Sequence, residues 1–341
     1  MKTALNRLLS YEQPQKYIVE TENYSETFST PVLTAGKSFI LGYTNETTGV
    51  YNGKESPAII FDDFTGDKKY VDFDFKVKSS AMKLLHKVNT SDNLKYLFYA
   101  LQSIKYTPFS HKRIWISEYS NFLIVYRHPQ EQNAIVLALD GINQAIYNKK
   151  QELFSLDELV KSRFIEMFEN KGFPTLLWND VFLTKTGKLD SNAMVGGGKY
   201  PFFTCAKEIF QIDRYAFDQE ALLLAGNNAV GKYDVKYYNG KFNAYQRTYV
   251  LSLRNKDWSY HCFQYQLQNK LDYLQNQSKG TNTKYLTLKI LAELNFIIPP
   301  IELQNEFAEF VKLIDKSKFI VQQQIKDLQE LLDSKMDEYF R

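Results

Sequence analysis

The sequence repeats itself at half its own length. Phe296-Ile297-Ile298-Pro299-Pro300-Ile301-Glu302-Leu303-Gln304-Asn305 opens a long C-terminal heptad pattern, and a degraded copy, Phe122 to Asn133, opens another 172 positions earlier. Such a repeat constrains architecture before any local motif does, because each copy must be a structural unit that its neighbour duplicates. In 341 residues it specifies two units of ordinary domain size, each followed by one long helix.

The helical copies match position by position. Ile135, Ile142, Lys149, Leu156 and Arg163 form one seven-residue series, and Leu139, Ile146, Leu153 and Val160 form the other at spacing four and three. Their counterparts 172 positions on are Phe307, Ile314, Val321, Leu328 and Lys335, then Val311, Lys318, Ile325 and Leu332. A single surface helix packed on its own domain would also carry an apolar stripe. Two copies in one register favour pairing with each other. Each helix would extend about 57 Å at 1.5 Å per residue, and an antiparallel pair would set the two units at opposite ends of a rod. The predicted segments are units 1–128 and 172–300, with spacer helices in 129–171 and 301–341.

Within the first unit, the runs Ala58-Ile59-Ile60-Phe61, Tyr70 to Lys78 and Trp115-Ile116 are β-branched or aromatic, and the 70–78 run alternates as a half-buried strand does. Asn93 to Lys105 reads as a closing helix. The second unit repeats the order: Tyr200 to Thr204 answers Thr30 to Thr34, Ala221 to Ala225 answers Ala58 to Phe61, and Tyr260 to Leu271 answers the closing helix. The predicted class is α+β, with mixed sheets and helices in each unit.

The net charge of +3 becomes informative once divided. Segment 129–171 carries −2 and segment 301–341 carries −3, which leaves +8 on the two units between them. An anionic partner would meet that charge on the units and not on the helices. No apolar run approaches the roughly 18 residues of a membrane span, so the chain is read as cytosolic. Cys205 and Cys262 stand apart without zinc-like spacing and read as small buried apolar residues.

Catalytic signatures fail on inspection. Gly36-Lys37-Ser38 resembles the tail of a phosphate loop, but Pro31 stands where its first glycine belongs and has no N–H to offer. Gly196-Gly197-Gly198-Lys199 is followed by Tyr200 instead of the Ser or Thr that would hold magnesium. Asp62-Asp63 with Asp67-Lys68 is a loose match to a nuclease metal site and reads better as turn and cap residues. No metal site or cofactor is predicted.

What remains is two basic, aromatic-rich units on a helical spacer, on which lysine and arginine could meet phosphates while forked donors and amides read base edges. In the first unit the candidates are Thr34, Lys37, Ser38, Lys76, Lys78, Ser79 and Ser80; in the second, Lys199, Lys207, Asn227, Asn228, Lys241, Asn243, Tyr245, Gln246 and Arg247.

At this point the chain resembles the specificity subunit of type I restriction-modification systems. The resemblance runs over essentially the full length. It is carried by Thr30 to Phe39, Ile59 to Thr65 and Phe75 to Ala81 in the first unit, Gly240 to Tyr249 in the second, and the helix start from Pro299-Pro300 to Gln304. Arg127-His128-Pro129 departs from the Pro-Pro of the second copy. The resemblance implies a non-catalytic subunit with two target recognition domains, each binding half of a bipartite site in double-stranded DNA, separated by two helices in an antiparallel coiled coil. It further implies partners: two methyltransferase (modification) subunits docked on this scaffold, and restriction/translocase subunits in the full complex. The rival readings are a two-module protein-interaction scaffold without DNA binding and a standalone nuclease.

Overall fold

The computed structural model describes residues 1–34, 38–106, 113–229 and 231–341. The chain divides into two compact units, Met1–Lys150 with Gln323–Arg341, and Gln151–Gln322.

In the first unit β1 (Lys2–Ala4) pairs with β9 (Leu123–Val125). Strands β2 (Leu9–Glu12), β5 (Ala58–Asp62), β6 (Lys68–Val71) and β8 (Met82–Lys87) form a sheet in the order β2-β8-β5-β6. A second sheet, β4-β3-β7, joins β4 (Ile40–Thr44), β3 (Thr30–Leu33) and β7 (Lys76–Val77). Central β5 is buried along its whole length, which its unbroken Ala-Ile-Ile-Phe run requires.

The expected continuous strand over 70–78 is in fact two. The chain leaves β6 after Val71, and Phe75 instead exchanges backbone hydrogen bonds with Tyr51 at 2.8 and 3.1 Å before β7 begins. Gly53 makes this detour possible, since a Cβ there would lie 2.1 Å from the Phe73 carbonyl. Trp115-Ile116 also differs from expectation, forming a helical turn, α2 (Ile114–Ser117). The turn starts on Asp63, whose carboxylate accepts the Trp115 N–H at 2.8 Å and whose carbonyl accepts that of Ile114. The closing helix is α1 (Leu94–Gln102), capped by Asn93, whose side chain accepts from the N–H of Lys95 and Tyr96.

The second unit repeats the plan. Strand β10 (Thr175–Leu177) pairs with β19 (Asn295–Ile297), as β1 pairs with β9. A six-stranded sheet has the order β11-β17-β14-β16-β12-β13, built from β11 (Phe182–Thr186), β12 (Tyr200–Phe203), β13 (Phe210–Ile212), β14 (Phe217–Ala225), β16 (Val235–Ala244) and β17 (Thr248–Leu253). Here one ten-residue strand, β16, does the work of both β6 and β7: it pairs antiparallel with β14 and then parallel with β12. Short β15 (Asn227–Asn228) pairs with β18 (Lys284–Tyr285). Helices α4 (Trp178–Val181), α5 (Tyr260–Gln268), α6 (Leu271–Gln277) and α7 (Leu288–Ala292) cover this sheet, with Trp178, Phe182, Phe263 and Phe296 in one core. Cys262 is buried and its thiol is pushed up to about 12 by desolvation, while Cys205 is half-buried.

Two 40-residue helices, α3 (Pro129–Phe168) and α8 (Ile301–Phe340), each contribute one half to each unit. In the first unit the start of α3 (Ile135, Val136, Leu139) shares a core with the end of α8 (Leu332, Met336, Tyr339, Phe340). In the second, Leu156, Val160 and Phe164 pack with Leu303, Phe307, Val311 and Ile314. Ion pairs Asp157–Lys318 at 2.6 Å and Arg163–Glu306 at 2.7 Å fix an antiparallel register there. Arg163 and Lys318, which interrupt the apolar heptad series, thus bridge the two helices. Every predicted seam position is buried or half-buried: Ile135, Leu139, Ile142, Ile146, Leu153, Leu156 and Val160 on α3, and Phe307, Val311, Ile314, Val321, Ile325, Leu328 and Leu332 on α8. Among the described residues no helix is long and apolar enough to cross a membrane.

Candidate nucleic-acid interface

Duplication places two loops at equivalent points of the frame. In each unit a short strand segment runs parallel to its neighbour: Val32 opposes Lys76 and Leu33 opposes Val77; Phe202 opposes Asn243 and Phe203 opposes Ala244. The next N–H is used identically, Lys78 donating to the Leu33 carbonyl and Tyr245 to that of Phe203, both at 2.9 Å. Past this hydrogen bond the two copies diverge. Residues Lys78-Ser79-Ser80-Ala81 lead into β8, whereas the three residues Tyr245-Gln246-Arg247 lead into β17.

Lys76 and Asn243 sit at the same position of this frame and are 2% and 3% exposed. The Lys76 ammonium donates to the Thr48 carbonyl at 2.7 Å and pairs with Glu46 at 2.8 Å. That hydrogen bond, with further N–H donors from Thr21 and Glu20, holds the Glu46 carboxyl down at about 2, against the cost of desolvation. Asn243 donates to the Arg214 carbonyl at 3.1 Å and accepts from the Ala244 N–H at 2.9 Å. The structure therefore corrects the reading of both: buried and satisfied, they have nothing to offer a phosphate or a base edge.

Other candidates of the first unit are partly committed. Lys78 pairs with Glu22 and lies 5.9 Å from the Tyr24 ring centre. The Thr34 hydroxyl donates to the Ser38 carbonyl at 2.6 Å, and Lys37 lies outside the described residues. Ser79 is exposed, its hydroxyl accepting from the Ala81 N–H at 3.3 Å, and Ser80 is half-buried.

The second unit offers more. Gln246 and Arg247 are exposed and Tyr245 is half-buried. Gly226 donates its N–H to the Arg247 carbonyl at 2.9 Å, and a Cβ there would come within 2.3 Å of that oxygen, so only glycine permits the approach. The Cys205 thiol donates to the same carbonyl at 3.5 Å. Gln246 donates its amide to Asp190 at 2.6 Å and its backbone N–H to Leu189. The loop backbone is thus rigid, while the Arg247 guanidinium has no hydrogen bond or ion pair among the described residues. It borders a notch of about 260 Å³ lined also by Thr186, Gln246 and Tyr249. Asn227 and Asn228 come directly after Gly226, so β15 belongs to this neighbourhood. Lys207, two residues past Cys205, is exposed; Lys199 is exposed at the start of β12; Lys241 is turned toward Tyr215, 4.8 Å from its ring centre. Lys185 and Lys188 escaped the sequence reading. They flank Thr186 and Gly187, where β11 ends beside this loop, and their short Lys-Thr-Gly-Lys spacing was the available signal.

The acidic cluster that loosely suggested a nuclease is structural. Asp62 accepts from the N–H of Phe64 and Thr65, and Asp63 pairs with buried Lys83 at 3.1 Å while starting α2. Burial pushes the Lys68 ammonium down to about 8. Off the seam, Phe154 on α3 and Phe319 on α8 are 63% and 68% exposed, and Ile320 and Leu313 are exposed beside the latter.

Residues 172–330 match the family model for the type I restriction modification DNA specificity domain. The fold is similar to that of the type I restriction-modification S subunit from M. genitalium, with a TM-score of 0.66 and 16% identity, covering 100% of this chain and 96% of that one. The chain is thus similar to type I specificity subunits, the specificity-domain match lying within residues 172–330. It is 53% identical over 121 residues to the EcoR124I/EcoR124II specificity subunit of Escherichia coli, covering 34% of this chain and 30% of that protein. Against the EcoDI specificity subunit of Escherichia coli it is 36% identical over 137 residues, 40% of this chain and 29% of the relative. The matches thus span less than a third of either relative's length.

Proposed function

We propose that this chain is the non-catalytic DNA-recognition subunit of a cytoplasmic type I restriction-modification complex. Residues 1–128 and 172–300 act as recognition domains, each reading one half of a bipartite double-stranded site. The segments 129–171 and 301–341 hold the gap between half-sites and dock two methyltransferase subunits, with restriction/translocase subunits completing the assembly. The observation that carries this reading is the pair of equivalent loops: one frame, kept twice, presents Lys78-Ser79-Ser80-Ala81 in one copy and Tyr245-Gln246-Arg247 in the other. A duplicated frame with unlike loops suits two unlike half-sites. The excess positive charge on the units supplies the phosphate attraction. The exposed apolar residues Phe154, Leu313, Phe319 and Ile320 support docking of protein partners on the helices.

The test is a domain exchange. Replacing residues 1–128 with the corresponding unit of another specificity subunit should alter one half of the methylated sequence and leave the other intact. A change in both halves rejects the assignment. DNA binding by the assembled complex that does not weaken as salt rises would favour a protein-interaction scaffold instead.

A further inference from the structure

Two glutamines, Gln132 and Gln304, lie 172 positions apart and each is 0% exposed. Each is the fourth residue of its long helix. The Gln132 side-chain oxygen accepts the backbone N–H of Asn93, the N-cap of α1, at 2.8 Å, and its amide donates to the Arg127 carbonyl at 2.9 Å and to Asp92 at 3.0 Å. Gln304 repeats the arrangement: its oxygen accepts the N–H of Ser259, the N-cap of α5, at 3.0 Å, and its amide donates to the Pro299 carbonyl at 2.8 Å. Arg127 and Pro299 are themselves 172 apart. The entries to the two helices differ in sequence, His128-Pro129 against Pro300-Ile301, and still the same joint is built.

One buried amide therefore ties three things in each unit: the start of the closing helix, the strand leading into the long helix, and that long helix. Both its acceptor and its donor are used, so no other side chain of that reach satisfies both partners. Asn is one methylene short, Glu has no donor for the carbonyl, and Leu has neither group. Loss of the amide would leave a buried N–H and a buried carbonyl unpaired at the point where unit and helix meet.

We propose that Gln132 and Gln304 are positioning residues that set how sharply the assembled complex discriminates the gap between its half-sites. This rests on the function proposed above. One base pair of B-DNA corresponds to about 3.4 Å of rise and roughly 34° of rotation, so a joint that tolerates a modest swing accepts a neighbouring gap.

The experiment uses the complete complex with its methyltransferase subunits and a DNA library. The library holds both half-sites constant and varies the gap by one base pair on either side of the preferred value. Methylation is read for wild type, Gln132→Leu, Gln304→Leu and the double variant. Each single variant should lower the preference for the native gap at least tenfold, the double more, with the bases of both half-sites unchanged. A preference unchanged within twofold in variants that melt cooperatively overturns the proposal, as does relaxed base specificity at an unrelaxed gap. Should the Leu variants fail to assemble, Gln132→Glu and Gln304→Glu, which keep shape and acceptor, are read by the same criteria. A wild-type complex with no bipartite site or no gap preference would reject the function itself, and is distinguishable from a wild-type preference that the variants leave intact.

Discussion

Lys76→Met separates a structural lysine from a DNA-contacting one. The substitution keeps an unbranched side chain of similar length but removes the ammonium, which is 2% exposed and bonded to Glu46 and to the Thr48 carbonyl. Glu46 then keeps only its N–H and hydroxyl donors from Glu20 and Thr21, and the Thr48 carbonyl loses its donor. Removing one partner of a buried ion pair costs about 3–5 kcal/mol. Glu46 remains 14% exposed, so solvent relieves part of its charge and the lower figure applies, about 3 kcal/mol. For a unit of this size each kcal/mol moves the midpoint by roughly 2–4 °C, which gives a fall of about 6–12 °C. Scanning calorimetry of the assembled complex reads this directly. Glu46→Gln should also destabilise, and the double change should cost less than the sum of the singles. In parallel, the slope of log binding constant against log salt should stay as in wild type. A variant that melts like wild type while that slope shrinks by about one would return Lys76 to the DNA surface and refute the argument.

Arg247→Ala removes the forked donor from the rigid loop of the second unit. It should cost about 1–3 kcal/mol for the cognate second half-site and relax one of its positions, with the first half-site unaffected. A loss uniform across sequences would make Arg247 a phosphate contact. The Glu46–Lys76 pair also makes a pH prediction. Glu46 is held at about 2, below its ordinary 4.5, so its contribution is complete above about pH 4.5 and is lost as pH falls toward 2. The difference in melting temperature between wild type and Lys76→Met should therefore narrow below about pH 4.5, and a constant difference down to about pH 3 would contradict the assignment.

The helices were legible because burial on a helix is periodic and the period was stated twice: each seam residue from Ile135 to Leu332 found shelter. The interface was less so, and the 70–78 run shows why. Strict alternation puts Asp72, Asp74 and Lys76 on one face, which reads as solvent. The chain abandons that alternation when Phe75 turns to pair with Tyr51, and β7 re-enters between neighbours with both Lys76 and Val77 buried. No local pattern announces a strand buried on both faces at a charged residue, because the carboxylate that satisfies it, Glu46, comes from a distant turn. The second unit clarifies what the position demands. Asn243 stands where Lys76 does, and it is satisfied by a carbonyl and an N–H instead of a carboxylate. The frame at this point requires a polar group with its partners present, not a particular residue, and that freedom in the frame is invisible from either copy alone. The adjoining loops carry no such obligation: Ser79 and Arg247 are exposed, and the two loops differ in length by one residue. Divergence at these exposed side chains is free to alter what each loop can touch, so the readable repeat marks where the scaffold is, and the unreadable remainder is where its two copies present different side chains.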